Sequence, residues 1–118
     1  MSDDDAQPIF ERGDVVYGTD PFKPGETSRP WLIVSNHEDH PFHGDQYLAC
    51  TLTTKSWMEG VVEIPETGWI RGGTPRRSRI VPWGVQSIVP EDIERWQGRI
   101  EHGIVDEAAS VLIDELRR

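Results

Sequence analysis

The apolar residues of this chain occur in short runs separated by loops rich in proline, glycine and polar residues, and only one stretch has a helical period. The longest run, Trp31 to Val34, is far shorter than the roughly 20 apolar residues that a bilayer-spanning helix needs. Short apolar runs between turn-forming residues are typical of β-strands. The pattern predicts a small, mainly β domain and argues against a membrane protein.

Five segments have the composition of short strands, because they are rich in β-branched and aromatic residues. We predict these strands at residues 15–17, 31–34, 47–53, 61–64 and 79–83, and residues 86–89 are compatible with an extension of the last one. The run at 31–34 is apolar throughout, which indicates a strand buried on both faces or a barrel stave. Pro82 indicates that the fifth strand lies at an edge or contains a β-bulge.

The C-terminal part of the chain changes character at Pro90–Asp92, where a proline followed by two acids predicts a short helical turn. From Ile104 to Leu116 an apolar residue recurs at every fourth position, which predicts an amphipathic helix. Short strands followed by one helix predict a mainly β (α+β) fold, with a strongly curved sheet or partly open barrel and the helix packed on it. We expect residues 1–10 to be a disordered acidic tail and residues 11–118 to be a single domain.

The chain is acidic, with 21 Asp and Glu against 12 Lys and Arg and a net charge of −9. Arginine strongly outnumbers lysine, and an acidic surface with few lysines suits a protein of a halophilic cytoplasm. The acidic N-terminus has no apolar stretch, so we expect no secretory signal and a cytoplasmic protein. A single cysteine, Cys50, excludes an internal disulfide and any cysteine-based zinc finger.

The positive charge is concentrated in one window, since no Asp or Glu occurs from Thr67 to Pro90. This window contains Arg71, Arg76, Arg77 and Arg79. A solvated hairpin tip would explain such a cluster. An anion-binding face would explain it equally simply, because guanidinium groups hold phosphate oxygens bidentately.

The loop at 36–45 contains His37, His40 and His43 at a spacing of three, and imidazoles are common zinc ligands. A spacing of three brings side chains together only on a helix, whereas Pro41 and Gly44 indicate a loop. We therefore expect no metal and no cofactor, although a metalloprotein stays open as an alternative. The sequence has no HExxH, P-loop or GxSxG motif, which removes support for three common enzyme classes.

The remaining candidates for chemistry are Arg29, before a buried strand, and the threonines 51, 53 and 54 that end the next strand. Each of them has an ordinary structural explanation when it is taken alone. Together with the arginine window they suit phosphodiester chemistry, because a guanidinium can hold a phosphate and stabilise its developing charge. RNA carries its own nucleophile, the 2′-hydroxyl, so such a site needs neither a serine nor a metal.

The order of several short motifs resembles the MazF/PemK family of toxin endoribonucleases from toxin–antitoxin pairs. The matching segments are Arg12-Gly13-Asp14-Val15-Val16-Tyr17, Pro21, Gly25-Glu26, Arg29-Pro30-Trp31-Leu32-Ile33-Val34-Ser35-Asn36 and Leu52-Thr53. The resemblance implies an SH3-like β-barrel with a C-terminal helix, which agrees with the architecture predicted above. It also implies a homodimer, metal-independent cleavage of single-stranded RNA such as mRNA, and inhibition by a cognate antitoxin protein.

The same resemblance implies roles for individual residues. Arg29 would transfer protons and hold the phosphate, and Thr53 would stabilise the oxyanion. Ser78 matches a position that opens a strand and is expected to be structural. The residues expected to contact RNA are Lys23, Glu26, Thr27, Ser28, Thr54, Arg71, Arg76, Arg77 and Arg79.

Three tryptophans, Trp57, Trp69 and Trp83, could stack on unpaired bases, but packing in the core or in an interface is the more ordinary role for any one of them. Trp83-Gly84 also departs from the acid and glutamine that family members often carry at this place. Two further alternatives stay open. The chain could be an inactive module that only binds nucleic acid or an antitoxin, or a topoisomerase poison like the CcdB family, which has a similar barrel.

Overall fold

The computed structural model describes residues 9–21 and 27–118. Its elements are β1 (Asp14–Thr19), β2 (Ser28–Ile33), β3 (Tyr47–Thr53), β4 (Val62–Glu63), β5 (Trp69–Gly72), β6 (Arg79–Ile88), β7 (Ile93–Ile100) and α1 (His102–Leu116), with 3₁₀ turns at Glu66–Gly68 and Pro90–Asp92. The strands form one curled antiparallel sheet in the order β4-β6-β3-β2-β1-β7-β5. Most of the expected acidic tail lies outside the described residues.

Both faces of the sheet are buried around its central strand, β2. Trp31, Leu32 and Ile33 have no exposed surface. Leu32 belongs to a cluster that includes Val105 of α1, whereas Trp31 and Ile33 point to the other face and pack with residues such as Tyr47. Because successive side chains of a strand alternate between faces, an uninterrupted apolar run is what such a strand requires. The prediction of a doubly buried strand is confirmed.

The helix α1 packs against β6 and β4 and closes one side of the half-barrel. It buries Val105 and Ala108, while Ile113 and Leu116 near its end remain 45% and 76% exposed. The predicted mainly β fold with a C-terminal amphipathic helix is confirmed. Within the part of the chain that the structure describes, no helix is both long and apolar enough to cross a bilayer.

Two strands, β5 and β7, were not among the predicted ones. The sequence of β7, Ile-Glu-Arg-Trp-Gln-Gly-Arg-Ile, does not alternate between apolar and polar residues, and only its Gly98 and Ile100 are buried. It is nevertheless paired on both sides, with β1 and with β5. Main-chain pairing rather than side-chain burial therefore holds β7 in the sheet.

The predicted strands at 79–83 and 86–89 are one continuous strand, β6. Its register with β3 shifts, since Cys50 pairs with Val85 and Leu52 pairs with Ile80. Thr51 alone therefore faces four residues of β6, Val81 to Gly84, which form a large, irregular bulge. Pro82 lies inside this bulge, as its inability to donate a ladder hydrogen bond requires.

Candidate active site

Two adjoining cavities lie where β2 begins and β3 ends. The first, named here the strand-end cavity, has a volume of about 460 Å³ and is lined by residues that include Asp20, Arg29, Thr51, Thr53, Met58, Val81 and Trp83. The second, named here the arginine cavity, has a volume of about 340 Å³ and is lined by residues that include Tyr17, Thr74, Arg76, Arg95 and Gln97. Ser28, Arg29, Pro30 and Thr54 line both cavities. Arg29 therefore stands at their junction.

The guanidinium of Arg29 is held on two sides. Its Nη2 donates a hydrogen bond of 2.6 Å to the carbonyl oxygen of Leu52, and its Nη1 lies 3.3 Å from a carboxylate oxygen of Asp20. The Asp20 side chain is only 4% exposed and that of Arg29 is 28% exposed. The Nε of Arg29 is buried and has no hydrogen-bond partner among the described residues. A buried donor left unpaired costs about 1 to 3 kcal/mol, which makes this N–H a candidate for bonding to a ligand oxygen.

Thr53 lies between two arginines of the neighbouring strands. On one side it pairs with Arg79 of β6. On the other side, β2 pairs with β3 through Trp31 and Thr51, and continuing that register by two residues places Thr53 opposite Arg29. Thr53 is 8% exposed, and its Oγ1 accepts a hydrogen bond of 3.1 Å from the main-chain N–H of Lys55. The structure thus brings Arg29 and Thr53, which the sequence analysis singled out, to one edge of the strand-end cavity.

The loop between β1 and β2 enters and leaves the sheet beside this cavity. Thr19 pairs with Ser28, and the N–H of Asp20 donates a hydrogen bond of 2.9 Å to the carbonyl oxygen of Thr27. Thr27 and Ser28, which were expected to contact RNA, line the strand-end cavity. The Ser28 hydroxyl donates to the carboxylate of Glu94. Lys23 and Glu26 lie outside the described residues.

The four arginines of the basic window have different environments. Arg76 is exposed and lines the arginine cavity. Arg77 and Arg79 both face Glu63, at 3.8 Å and 2.9 Å, and Arg79 also donates to the carbonyl oxygen of Thr54. Arg71 lies on β5 with its guanidinium 5.8 Å from the centroid of the Trp96 ring. Only Arg76 of this group combines exposure with a place in a cavity that contains Arg29.

β1 and β7 also contribute to the arginine cavity, although no pattern in the sequence indicates this. Arg95 of β7 lies over the ring of Tyr17 on β1, with its guanidinium carbon 4.2 Å from the ring centroid. The two residues are direct partners in the β1–β7 register. With Arg29 and Arg76 they give the arginine cavity three guanidinium groups, and none of the described residues that line it carries a carboxylate. This charge favours an anionic ligand.

The histidines of the 36–45 loop are part of its internal structure. The side chain of His43 is fully buried, with Nδ1 2.8 Å from Ser35 Oγ and Nε2 2.5 Å from the carbonyl oxygen of Phe10. Nδ1 of His40 accepts a hydrogen bond from the main-chain N–H of Asn36. No group of three or more His, Cys, Asp or Glu side chains within residues 9–21 and 27–118 is placed to hold a metal ion. The histidine spacing thus corresponds to loop packing.

Two other sequence predictions concern packing. Ser78 is 3% exposed, and its hydroxyl bonds with Thr74 and with the carbonyl oxygen of Arg76, so it orders the turn before β6 as expected. Of the three tryptophans, Trp69 packs against the core cluster of α1, whereas Trp57 and Trp83 are 73% and 47% exposed.

Cys50 has no access to either cavity. It is 2% exposed, and its thiol donates a hydrogen bond of 3.6 Å to the carbonyl oxygen of Pro82. Burial raises the pKa of the Cys50 thiol to about 11, because the thiolate would be poorly solvated there. The cysteine is therefore a core residue and not a nucleophile.

The sequence matches no family model and no curated protein. The structure is similar to crystal structures of MazF from Deinococcus radiodurans, one of which has a TM-score of 0.73 and 16% identity and covers 94% of this chain and 99% of that chain. It is also similar to a mycobacterial endoribonuclease in complex with its cognate antitoxin, with a TM-score of 0.67 and 19% identity over 92% of this chain and 94% of that chain.

A third similar structure is the Mycobacterium tuberculosis toxin MazF-mt6, with a TM-score of 0.65 and 16% identity over 88% of this chain and 96% of that chain. These similarities show that the chain has the fold of MazF. The fold that the short motifs implied is therefore confirmed.

Proposed function

We propose that this protein is the toxin of a toxin–antitoxin pair and cleaves single-stranded RNA, such as mRNA, without a metal or cofactor. The observation that carries the proposal is the position of Arg29 on a MazF fold. Its guanidinium lies at the junction of two cavities, is anchored to Leu52 and Asp20, and keeps a buried Nε–H without a partner among the described residues. A phosphate oxygen is the ligand that such a group fits best.

In the proposed reaction, the 2′-hydroxyl of RNA attacks the adjacent phosphorus. A P–O2′ bond forms and the P–O5′ bond breaks, which yields a 2′,3′-cyclic phosphate and a 5′-hydroxyl. The 2′-hydroxyl loses its proton and the leaving 5′ oxygen gains one. Arg29 holds the phosphate and takes part in proton transfer, and Thr53 donates a hydrogen bond to the nonbridging oxygen as negative charge develops.

The arginine cavity extends the binding surface beyond the scissile phosphate. Among residues 9–21 and 27–118, no acidic residue joins Arg76 and Arg95 in the cavity lining, so these arginines suit the phosphates next to the scissile one along the RNA. We propose five additional RNA contacts, at Ser28, Thr54, Arg71, Arg77 and Arg79. The contacts of Arg77 and Arg79 are expected to be the weaker ones, since both side chains already pair with Glu63. Lys23, Glu26 and Thr27 of the β1–β2 loop complete the proposed contact set.

We propose three further properties with this function. The antitoxin is a protein that covers the same cavities. One of the similar structures is an endoribonuclease in complex with its cognate antitoxin. The toxin is a homodimer, which would cover apolar side chains such as Ile113 and Leu116 that α1 leaves exposed. It works in the cytoplasm, and its net charge of −9 suits a halophilic cell.

The test is incubation of a long single-stranded RNA with the purified protein in high salt with EDTA, followed by mapping and end-group analysis of the fragments. We expect discrete fragments with 5′-hydroxyl ends. Thr53→Val, which keeps the side-chain shape and removes the hydroxyl, should slow cleavage by about 100-fold or more. Thr53→Ser, which keeps the hydroxyl, is the matched control and should retain most of the activity.

Other results would contradict the proposal in distinguishable ways. RNA that is bound but stays intact across many sequences would indicate a binding module without activity. Cleavage that stops only when EDTA is added would indicate a metal-dependent reaction. Intact RNA together with inhibition of a DNA topoisomerase would indicate a poison of the CcdB type.

A further inference from the structure

The strand-end cavity is lined by two chemically different kinds of side chain. Arg29, Ser28 and Thr53 supply polar groups, and Met58, Val81 and Trp83 supply apolar surface. A nucleotide also combines a charged phosphate with a flat apolar base, joined by a sugar. Arg29 accounts for the phosphate alone, which leaves the apolar part of the lining without a role in the proposed cleavage.

Trp83 lies in the bulge of β6 and lines this cavity. Thr51 of β3 faces the four residues from Val81 to Gly84, so the strand bends away from regular pairing at this point. Pro82 is fully buried, whereas Trp83 is 47% exposed and lines the cavity. At Gly84 an added Cβ would lie 2.5 Å from Thr51 Oγ1, so the bulge requires glycine there. Bulges of this kind re-aim side chains beside active sites.

The loop after β3 supports the Trp83 ring from the side. An added Cβ at Gly60 would lie 3.2 Å from Cζ3 of Trp83 and 3.5 Å from Cη2, so main chain packs directly against the ring. Gly60 has a φ of +82°, a conformation in which glycine is strongly favoured. Main chain therefore backs one side of the ring, while nearly half of the Trp83 surface is exposed. A large, half-exposed aromatic ring in the lining of a cavity that also holds polar groups offers a stacking surface.

We propose that Trp83 stacks on the base of the nucleotide whose phosphate Arg29 holds. This inference rests on the proposed RNA cleavage, and it identifies Trp83 as the residue that binds the base in the same site. Aromatic stacking accepts any base, because every base has a flat π face, so Trp83 contributes affinity and positioning more than sequence choice. Trp57 is more exposed and has Lys55 Nζ 5.4 Å from its ring centroid, but it does not line the cavity.

The experiment uses a fluorescent RNA that spans the mapped cleavage site and carries one 2′-deoxynucleotide at the scissile position, which removes the attacking hydroxyl. Binding is measured by anisotropy for the intact RNA and for a series in which each position in turn is abasic. Trp83→Ala should weaken binding of the intact RNA by about 5- to 150-fold. Trp83→Phe should retain most of the affinity, and Trp57→Ala, the matched exposed tryptophan, should change it less than twofold.

The abasic series separates stacking from a structural role. For the wild type, one abasic position should weaken binding by about the same factor as the Trp83→Ala substitution does with intact RNA. Trp83→Ala itself should bind the RNA with that abasic position as tightly as it binds the intact RNA. The proposal would be overturned if Trp83→Ala lost as much affinity as the wild type at every abasic position, because no single base would then depend on Trp83. A change in molar mass of Trp83→Ala in sedimentation would assign the residue to an interface between copies and also overturn it. If the wild type neither binds nor cleaves RNA, the proposed function fails as well.

Discussion

The Nη2 atom of Arg29 on β2 donates a hydrogen bond of 2.6 Å to the carbonyl oxygen of Leu52 on β3, the residue immediately before Thr53. The guanidinium and the Thr53 hydroxyl are therefore positioned by the same strand end. A second contact, to the buried carboxylate of Asp20, helps to fix the plane of the guanidinium. Preorganised donors of this kind stabilise developing charge effectively because they need no rearrangement during the reaction.

The geometry at Arg29 predicts that a positive charge at this position is not enough for RNA cleavage. Arg29→Lys keeps the positive charge, but a single ammonium cannot contact Leu52 and Asp20 while it also binds a phosphate bidentately. We expect the cleavage rate to fall by about 100-fold, measured with a fluorogenic RNA under single-turnover conditions. Arg99→Lys is the matched control, because Arg99 pairs with Asp14 outside both cavities and lysine can keep that ion pair. Full activity of Arg29→Lys would contradict the assigned role.

The arginine window is expected to divide into binding and structural residues. Arg76→Ala should weaken RNA binding and reduce the slope of log Kd against log salt by about 0.7, the value for loss of one phosphate contact on a single strand. Arg117→Ala, at the exposed end of the chain, should leave the slope unchanged. Titrations at several salt concentrations give both numbers. Equal slopes for the wild type and Arg76→Ala would remove Arg76 from the RNA path.

Arg79 should behave differently from Arg76, since it is largely buried and binds Glu63 and the carbonyl oxygen of Thr54. We expect Arg79→Ala to lower the melting temperature, whereas Arg76→Ala should leave it within about 2 °C of the wild type. Thermal unfolding followed by circular dichroism checks this difference. The reverse order of the two melting temperatures would contradict the assignment.

Cys50 should make the fold less stable in alkali. The unfolded thiol loses its proton near pH 9.0, whereas burial raises the pKa of Cys50 in the folded state to about 11. Between these values the unfolded state binds fewer protons, so the free energy of unfolding falls as the pH rises, by at most about 3 kcal/mol. Denaturant unfolding at pH 8 and pH 10.5 measures the loss. Cys50→Ala removes this contribution, and an identical pH dependence in that variant would refute the prediction.

The buried histidine should contribute to stability and not to metal binding. His43→Ala removes one hydrogen bond of Ser35 Oγ, which keeps the one from the Leu48 N–H, and the side-chain partner of the Phe10 carbonyl oxygen, so we expect the free energy of unfolding to fall by about 1 to 3 kcal/mol. His37→Ala, an exposed neighbour in the same loop, should change it by less than about 0.5 kcal/mol. EDTA should leave the melting temperature of the wild type unchanged. A lower melting temperature in EDTA would restore the metal hypothesis.

Much of the sheet could be predicted from the sequence, because strands that bury apolar side chains leave a visible pattern. The doubly buried run of β2 and the bulge at Pro82 are examples. β7 leaves no such pattern, since its side chains are mostly polar and its place depends on main-chain pairing with β1 and β5. Only knowledge of the sheet order reveals that pairing.

The candidate site also contains some residues that the sequence predicts and others that it does not. Arg29 and Thr53 could be chosen because each adjoins a strand with a clear apolar signal. Arg95 and Tyr17 could not, because their contact depends on the register between β1 and β7. The separation of Arg76 from Arg79 likewise depends on Glu63, which lies on another strand and is far from both in sequence terms. Charge clusters in a sequence therefore identify a region, and pairing in space selects the residues that remain free to bind.

The two ends of the β1–β2 loop are joined to each other by main-chain pairing, which affects how much the loop sequence can vary. Thr19 pairs with Ser28, and Asp20 and Thr27 are joined directly above them, so the chain leaves and rejoins the sheet at one closed point. Insertions, deletions or exchanges between positions 20 and 27 would leave the strand register and the anchoring of Arg29 unchanged, since a longer closed loop adds little entropic cost. Changes confined to this one segment would therefore alter what the site accepts while the chemistry at Arg29 and Thr53 stays the same.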